Sequence, residues 1–416
     1  MLKHRIFQRD TLESTYAIVF ILAINPVLES ISLQFGMAIP YSVLDLLLFF
    51  SLLLFIYLFS RKISFQWHSN KFALLCLCLY MAYQISIFSR ALPLKSHENF
   101  KYLLTNQYLV WPLVIPIAVF YAKTEDSLVQ LIKAVFILSC IFLVLSAIDF
   151  PILLKRLTGE TFITALTLPI GFIAMNNRYF SPRKRIVIFS ALILSLACCI
   201  LLARRSCVLT YSLFLMISAS QLIYRTKASV VIKVIPFAAI AFCLVIANSD
   251  FLSDKFMAKF QERLNDDTRS EVFENFFYSM KEDMMVGKGM TGKYYSPNEE
   301  TLTDDGVKFG ETEYRDLIEN GYLQLILKGG YVNLALFILT ALPAALLGIF
   351  NSANNFTRTC GLTILLFMVD MFFYGLPRLN NQYVLVWISV GVCYSKHLRS
   401  TQDEAWETKF TQYGLA

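Results

Sequence analysis

LIENGYLQLILKGGY (residues 317–331) passes from a carboxylate and an amide, Glu319-Asn320, through an apolar turn of chain to two adjacent glycines. It opens an apolar run over 322–349 that is long enough to cross a hydrocarbon core as a helix. Runs of similar character recur on both sides of it. The chain of 416 residues is 56% hydrophobic and 16% charged. That little charge cannot cover so much apolar surface in water. The reading is an all-α polytopic integral membrane protein with about twelve transmembrane helices. The expected spans are 15–34, 40–60, 72–90, 107–122, 127–148, 161–176, 186–203, 206–224, 229–248, 322–349, 359–375 and 381–395. The 36 Phe and 21 Tyr suit lipid-facing and interfacial surfaces.

These runs divide the chain into nine or so N-terminal helices over 1–248, one large polar loop over 249–317, about three helices over 318–396, and a tail over 397–416. The net charge of +7 is spread between the apolar runs and forms no single basic patch, which excludes a nucleic-acid partner. Lys3, Arg5 and Arg9, then Arg61, Lys62 and Lys71, then Arg178, Arg183, Lys184 and Arg185, fall in alternate connections. Lys396, Arg399 and Lys409 complete the set, and the bias predicts both termini on the cytoplasmic side. The large loop is then extracytoplasmic. The nine cysteines lie in or beside apolar runs, so no disulfide framework is expected, and no metal-ligand cluster is visible.

Inside the loop, TRSEVFENFFYSMKED (268–283) opens with a capping-box pattern, Thr268-x-x-Glu271, and places Phe273, Phe276, Phe277, Met280 and Met284 at helical spacing. An amphipathic helix is expected, its apolar face on the bundle or the interface. GKGMTG (287–292) has the spacing of a dinucleotide-binding motif. It follows a helix rather than a strand and runs into Tyr294, Tyr295 and Pro297, so a glycine-rich turn is the reading.

Four arginines stand out. Arg204-Arg205 occupies a tight turn on the side where cations are disfavoured; it reads as interfacial snorkelling or as a guanidinium site for a diphosphate beside a helix N-terminus. Arg269 begins the loop helix and reads as a surface ion pair or a further phosphate contact. Arg378 is the single charge in YGLPRLNNQY. Asp316, Glu319, Asn320 and Tyr322 open the tenth span; helix capping competes with a general-base role for Glu319, oriented by Asn320. Gly329-Gly330 predicts close packing or a helix break. Asp45 and Asp370 read as partners of the arginines, and His97 is the one outer histidine.

Together these residues resemble the bacterial O-antigen polymerase and O-antigen ligase superfamily. The resemblance rests on Arg205-Ser206, on Arg269 with VFENFFYSM, on Gly287-Lys288-Gly289, and on Glu319-Asn320-Gly321-Tyr322-Leu323, in that order. It covers 200–350 in detail and the rest by layout. Ligases of the superfamily carry histidine before that asparagine; here Glu319 stands there and the late loop has no histidine, which favours a polymerase. The resemblance implies a GT-C-type, metal-independent, cofactor-free inverting glycosyltransferase in the bacterial inner membrane, its site periplasmic. It would move a glycan from undecaprenyl diphosphate onto a lipid-linked repeat, with Arg204, Arg205, Arg269 and Arg378 on the diphosphate, Tyr322 lining the site, and Glu319 with Asn320 at the hydroxyl. Its partners would be the lipid-linked oligosaccharide, the bilayer and a chain-length regulator. Transfer to lipid A core or protein, and a flippase for lipid-linked oligosaccharide, are the alternatives.

Overall fold

The structure is a computed structural model that describes residues 23–24, 27–28, 46–47, 49–50, 52–54, 56–57, 71–92, 102–121, 124–156, 166–201, 205–223, 268–296, 314–373 and 375–416. The expected span 229–248 and most of 15–34 and 40–60 lie outside them. The elements run α1 (Lys71–Ser89), α2 (Trp111–Tyr121), α3 (Glu125–Arg156), α4 (Thr167–Met175), a 3-10 turn (Asn177–Tyr179), α5 (Pro182–Leu201) and α6 (Arg205–Ile223). The loop contributes α7 (Thr268–Met280) and a two-stranded ribbon, β1 (Tyr294–Tyr295) with β2 (Tyr314–Arg315). Then come α8 (Gly321–Phe350), α9 (Asn355–Asp370), α10 (Asn381–Tyr394), α11 (Lys396–Ser400) and α12 (Asp403–Gln412).

Asparagine starts the last three long helices. Asn320, Asn354 and Asn380 each accept backbone N–H bonds from the first turn of α8, α9 and α10, which satisfies donors that a helix otherwise leaves open. α10 is the axis of the bundle. All its residues but Gly391 are buried, as befits a helix that is apolar all round. Aromatic rings run through it: Tyr80 of α1 stacks on Trp387 at 5.4 Å, Trp387 meets Tyr383 at 5.9 Å, and Tyr383 meets Trp111 of α2 at 5.9 Å. α4 is buried at every residue, and its Gly171 makes room for the Phe214 ring of α6, which a Cβ there would overlap at 2.3 Å.

Among the described residues, two helices are long and apolar enough to cross a membrane: α3 over Glu125–Ser146 and α8. Stretches of α1, α2 and α6 are apolar but shorter. The expected fourth and sixth spans contract to α2 and α4, of 11 and 9 residues, below the ~20 that a crossing needs. Both contain proline; α4 is buried at every residue and α2 at most of its residues. Outward apolar side chains on α1 (Phe72, Leu75, Leu79), α3 (Val144, Ile148) and α8 (Leu339, Leu346, Phe350) give the exterior a character that suits hydrocarbon better than water.

The bundle has two chemically distinct ends. At the loop end, Gly321 N–H donates to Met371 O at 2.8 Å, Leu379 N–H to Gln107 O at 2.8 Å, and Arg90 reaches the carbonyls of Val286 and Gly287. At the opposite end, the chain after 395 folds back over the helix termini. Its two helices bury Trp406 and Phe410 and pair Arg178 with Asp403 at 2.5 Å and Lys409 with Asp126 at 2.8 Å. The residues expected as a tail are thus a docked cap.

Candidate functional site

The loop end is built around a break in α8. Gly330 has φ 67° and ψ −172°, which interrupts the helix and leaves carbonyls and amides on either side without helical partners. The turn 284–289 supplies them. Lys288 N–H donates to Leu327 O at 2.8 Å and Gly289 N–H to Lys328 O at 3.0 Å, while Tyr331 N–H and Val332 N–H donate to the carbonyls of Met284 and Met285. Gly287 and Gly289, at φ 70° and 81°, let the turn approach; a Cβ on Gly287 would sit 2.5 Å from Gly329 N. α1 holds the junction from the other side, with Tyr83 donating to Gly329 O at 2.8 Å and Gln84 to Asn333 Oδ1 at 2.5 Å. The glycines of GKGMTG therefore spend two of their turn's amides on a helix, not on a phosphate. The expected turn is present, and so is the expected break at Gly329-Gly330.

α7 falls within the expected loop helix. Phe276 and Met280 are fully buried with Ile318, Ile326 and Leu327, and Phe273 and Met284 pack at the margin. Phe277 departs from the expectation: it is exposed, because the helix turns that position away from α8.

The start of α8 differs from the expectation in one respect. The helix begins at Gly321, and residues 316–320 precede it, so Asp316 and Glu319 do not share a helical face. Asn320 caps the helix: its Oδ1 accepts the N–H groups of Tyr322 and Leu323 at 3.1 and 3.0 Å, and its Nδ2 donates to Phe372 O at 2.8 Å. Its amide is thereby occupied and makes no bond to Glu319. Tyr322 donates its hydroxyl to Met368 O at 2.7 Å and rests its ring on Phe372. Glu319 itself is exposed and makes no hydrogen bond among the described residues.

Arg378 is 4% exposed, with Nη1 3.4 Å from the Tyr108 hydroxyl and its guanidinium 6.0 Å from that ring. It lies within electrostatic reach of Asp370, which also accepts from Thr210 Oγ1 of α6 at 3.3 Å. Asp370 is hydrogen-bonded by Thr210 and feels the charge of Arg378, which itself sits against Tyr108. Thr210 is five residues, about 7.5 Å of helix, inside Arg205. The first turn of α6 therefore belongs to the same end as Asp370, Asn320 and the loop. Arg205 and Arg269 are placed by their backbones, at the starts of α6 and α7; their side chains, and Arg204, Asp45 and His97, lie outside the described residues.

Four polar residues of this end were not singled out from sequence. Lys328 is fully buried and donates to Gly292 O at 2.9 Å. Gln324, also buried, bonds Asp316 O and Ile318 N–H; Arg90 clamps the turn; and Tyr102 donates to the Asp316 carboxylate. Lys328 and Gln324 carried a signal, since polar groups inside an apolar run need partners. Compared with protein-family models, with curated proteins and with solved structures, the chain matches none of them.

Proposed function

We propose that the chain is a polymerase of lipid-linked glycan repeats, a metal-independent inverting glycosyltransferase of the GT-C kind, with about twelve spans counted on the sequence, two of which are the short α2 and α4. Its site is the loop end, on the periplasmic side of the bacterial inner membrane. The observation that carries this reading is the convergence at one end of three pieces far apart in sequence. These are the start of α6 with Arg205-Ser206, the loop helix α7 with Arg269 in its first turn, and the junction before α8 with Glu319. The turn 284–289 that follows α7 is hydrogen-bonded into α8 and so holds a fixed place against the bundle. A flippase would have no need of such a fixed extramembrane element.

The donor is a glycan on undecaprenyl diphosphate, and the acceptor is a hydroxyl of a lipid-linked repeat. The hydroxyl attacks the anomeric carbon, the bond to the diphosphate breaks, and the charge that develops there is met by Arg204, Arg205 and Arg269. Arg378, buried against Asp370 and Tyr108, steadies the floor of the site. A carboxylate at the junction before α8 takes the hydroxyl proton. Asn320 and Tyr322 serve by fixing the start of α8 on the 371–373 turn. A chain-length regulator would meet the protein on this same face.

Purified protein given lipid-linked repeats, with EDTA present and nucleotide absent, is expected to yield a polymer ladder. A preparation that folds and forms no polymer overturns the reading. Loss of the gene separates the neighbouring activity: single repeats still attached to the acceptor mark a polymerase, and no attached glycan marks a ligase.

A further inference from the structure

We propose that Asp316, held by the Tyr102 hydroxyl and by the backbone bonds of Gln324, is the carboxylate that takes the acceptor proton; this rests on the glycosyl transfer proposed above and names its base. A base works only where its surroundings fix it. The backbone from Asp316 to Ile318 is pinned by one buried side chain: Gln324 Nε2 donates to Asp316 O at 3.3 Å, and Gln324 Oε1 accepts from Ile318 N–H at 3.1 Å. The side chain is fixed in turn by Tyr102, from the segment ahead of α2. Lys328 is 0% exposed, is held by Gly292 O, and lies within electrostatic reach of Asp316. Glu319, exposed and unbonded among the described residues, has none of this support.

The constellation is also open to a substrate. Tyr102 remains 41% exposed and Asp316 half-buried. Burial first, and then the bond to Asp316, raise the Tyr102 phenol above its ordinary pKa, so it stays a donor through the physiological range. Tyr314, in the ribbon strand that leads into Asp316, is 54% exposed and meets the Tyr295 ring at 5.6 Å. A flat, exposed aromatic beside a fixed carboxylate suits a sugar, whose C–H face packs on the ring while its hydroxyls turn to the acid. In the step itself, the acceptor oxygen bonds to the anomeric carbon and its proton passes to Asp316. The electron pair of the breaking anomeric C–O bond leaves with the diphosphate.

The test is the polymer-forming assay across pH on wild type, Asp316→Asn, Glu319→Gln and Tyr102→Phe, each with a melting temperature. Asp316→Asn is expected to lower kcat by ~10²–10⁴-fold with KM little changed and to abolish the acidic limb of the profile. Glu319→Gln is expected to keep that limb. Tyr102→Phe removes a bond that favours the carboxylate, so the limb is expected at higher pH. A folded Asp316→Asn that keeps the limb while Glu319→Gln loses it overturns the assignment and leaves the polymerase reading intact. A folded wild type that forms no polymer overturns that reading and this inference with it. If Asp316→Asn does not fold, Tyr102→Phe decides, because an unmoved limb shows that the Tyr102–Asp316 pair has no part in the proton transfer.

Discussion

Asn320 uses every group of one small side chain: two accepted amides start α8, and one donated N–H ties that start to Phe372. Asn320→Ala is expected to cost about 1–2 kcal/mol as a lost cap, and further for the lost tie. Asn320→Asp keeps the acceptor and gives up only the tie. Thermal unfolding of the purified protein should therefore rank wild type above Asn320→Asp and Asn320→Ala lowest; an unchanged melting temperature for Asn320→Ala shows that the cap is not what the residue contributes. Arg378 makes the complementary point about charge. Removing its guanidinium takes a favourable charge away from Asp370 at a poorly solvated place, and a loss of stability of about 1–2 kcal/mol is expected. Arg378→Met combined with Asp370→Asn should recover more than ~1 kcal/mol of that loss, because neighbours in one interaction are not additive. Melting temperatures that simply add would remove the pair from the account.

At the scale of elements, the joint between the loop and α8 depends on glycines at positive φ. A Cβ on Gly330 would stand 2.2 Å from the backbone of Met285, and one on Gly287 2.5 Å from Gly329 N, while one on Gly414 would meet nothing within 4 Å. Gly414 also has φ 70°, so Gly414→Ala reports the conformational cost alone, about 1 kcal/mol. Gly287→Ala and Gly330→Ala are expected to cost clearly more and to open the segment 281–296 to protease. Equal effects at all three positions would show that the close approach carries no energy. The parts of this joint were legible one at a time: the apolar helix of the loop, the glycine-rich turn after it, the paired glycines in the next apolar run. Their assembly was not, because Lys288 N–H to Leu327 O and Tyr102 to Asp316 join residues far apart in sequence, the latter pair by 214 positions. Local periodicity holds no record of such a contact. For the same reason Asn320 could be read as cap or as orienting amide until the start of α8 was placed. The short α2 and α4 show the other limit: apolar runs announce burial, and burial in protein looks like burial in lipid until length and neighbours are known.

For the whole molecule, the two ends differ in what closes them. The loop end is held by backbone bonds between the turn 284–289 and α8. The other end is held by side chains of the C-terminal cap: Trp406 stacks on Phe356 at 4.2 Å, Phe410 on Tyr179 at 4.8 Å, and Arg178 bridges Asp403 and Glu407. Trp406→Ala is expected to cost ~3–5 kcal/mol, the range for a buried aromatic removed, and to free residues 396–416 to protease; a cap that stays protected would mean its ion pairs suffice. The same division bears on orientation. Lys293 at the loop end and Glu404 in the cap are both exposed. In the proposed topology, which follows the cation bias of the short connections, the cap is cytoplasmic and the loop end is on the outer side. In a variant without the nine native cysteines, single cysteines at 293 and 404 test this with a membrane-impermeant maleimide. Intact cells should label position 293 and spare 404 until the membrane is opened. Labelling of both in intact cells would put the ends on one side and remove the membrane crossing itself. Labelling of 404 alone would invert the molecule and leave the proposed site on the wrong side for a lipid-linked glycan delivered to the periplasm.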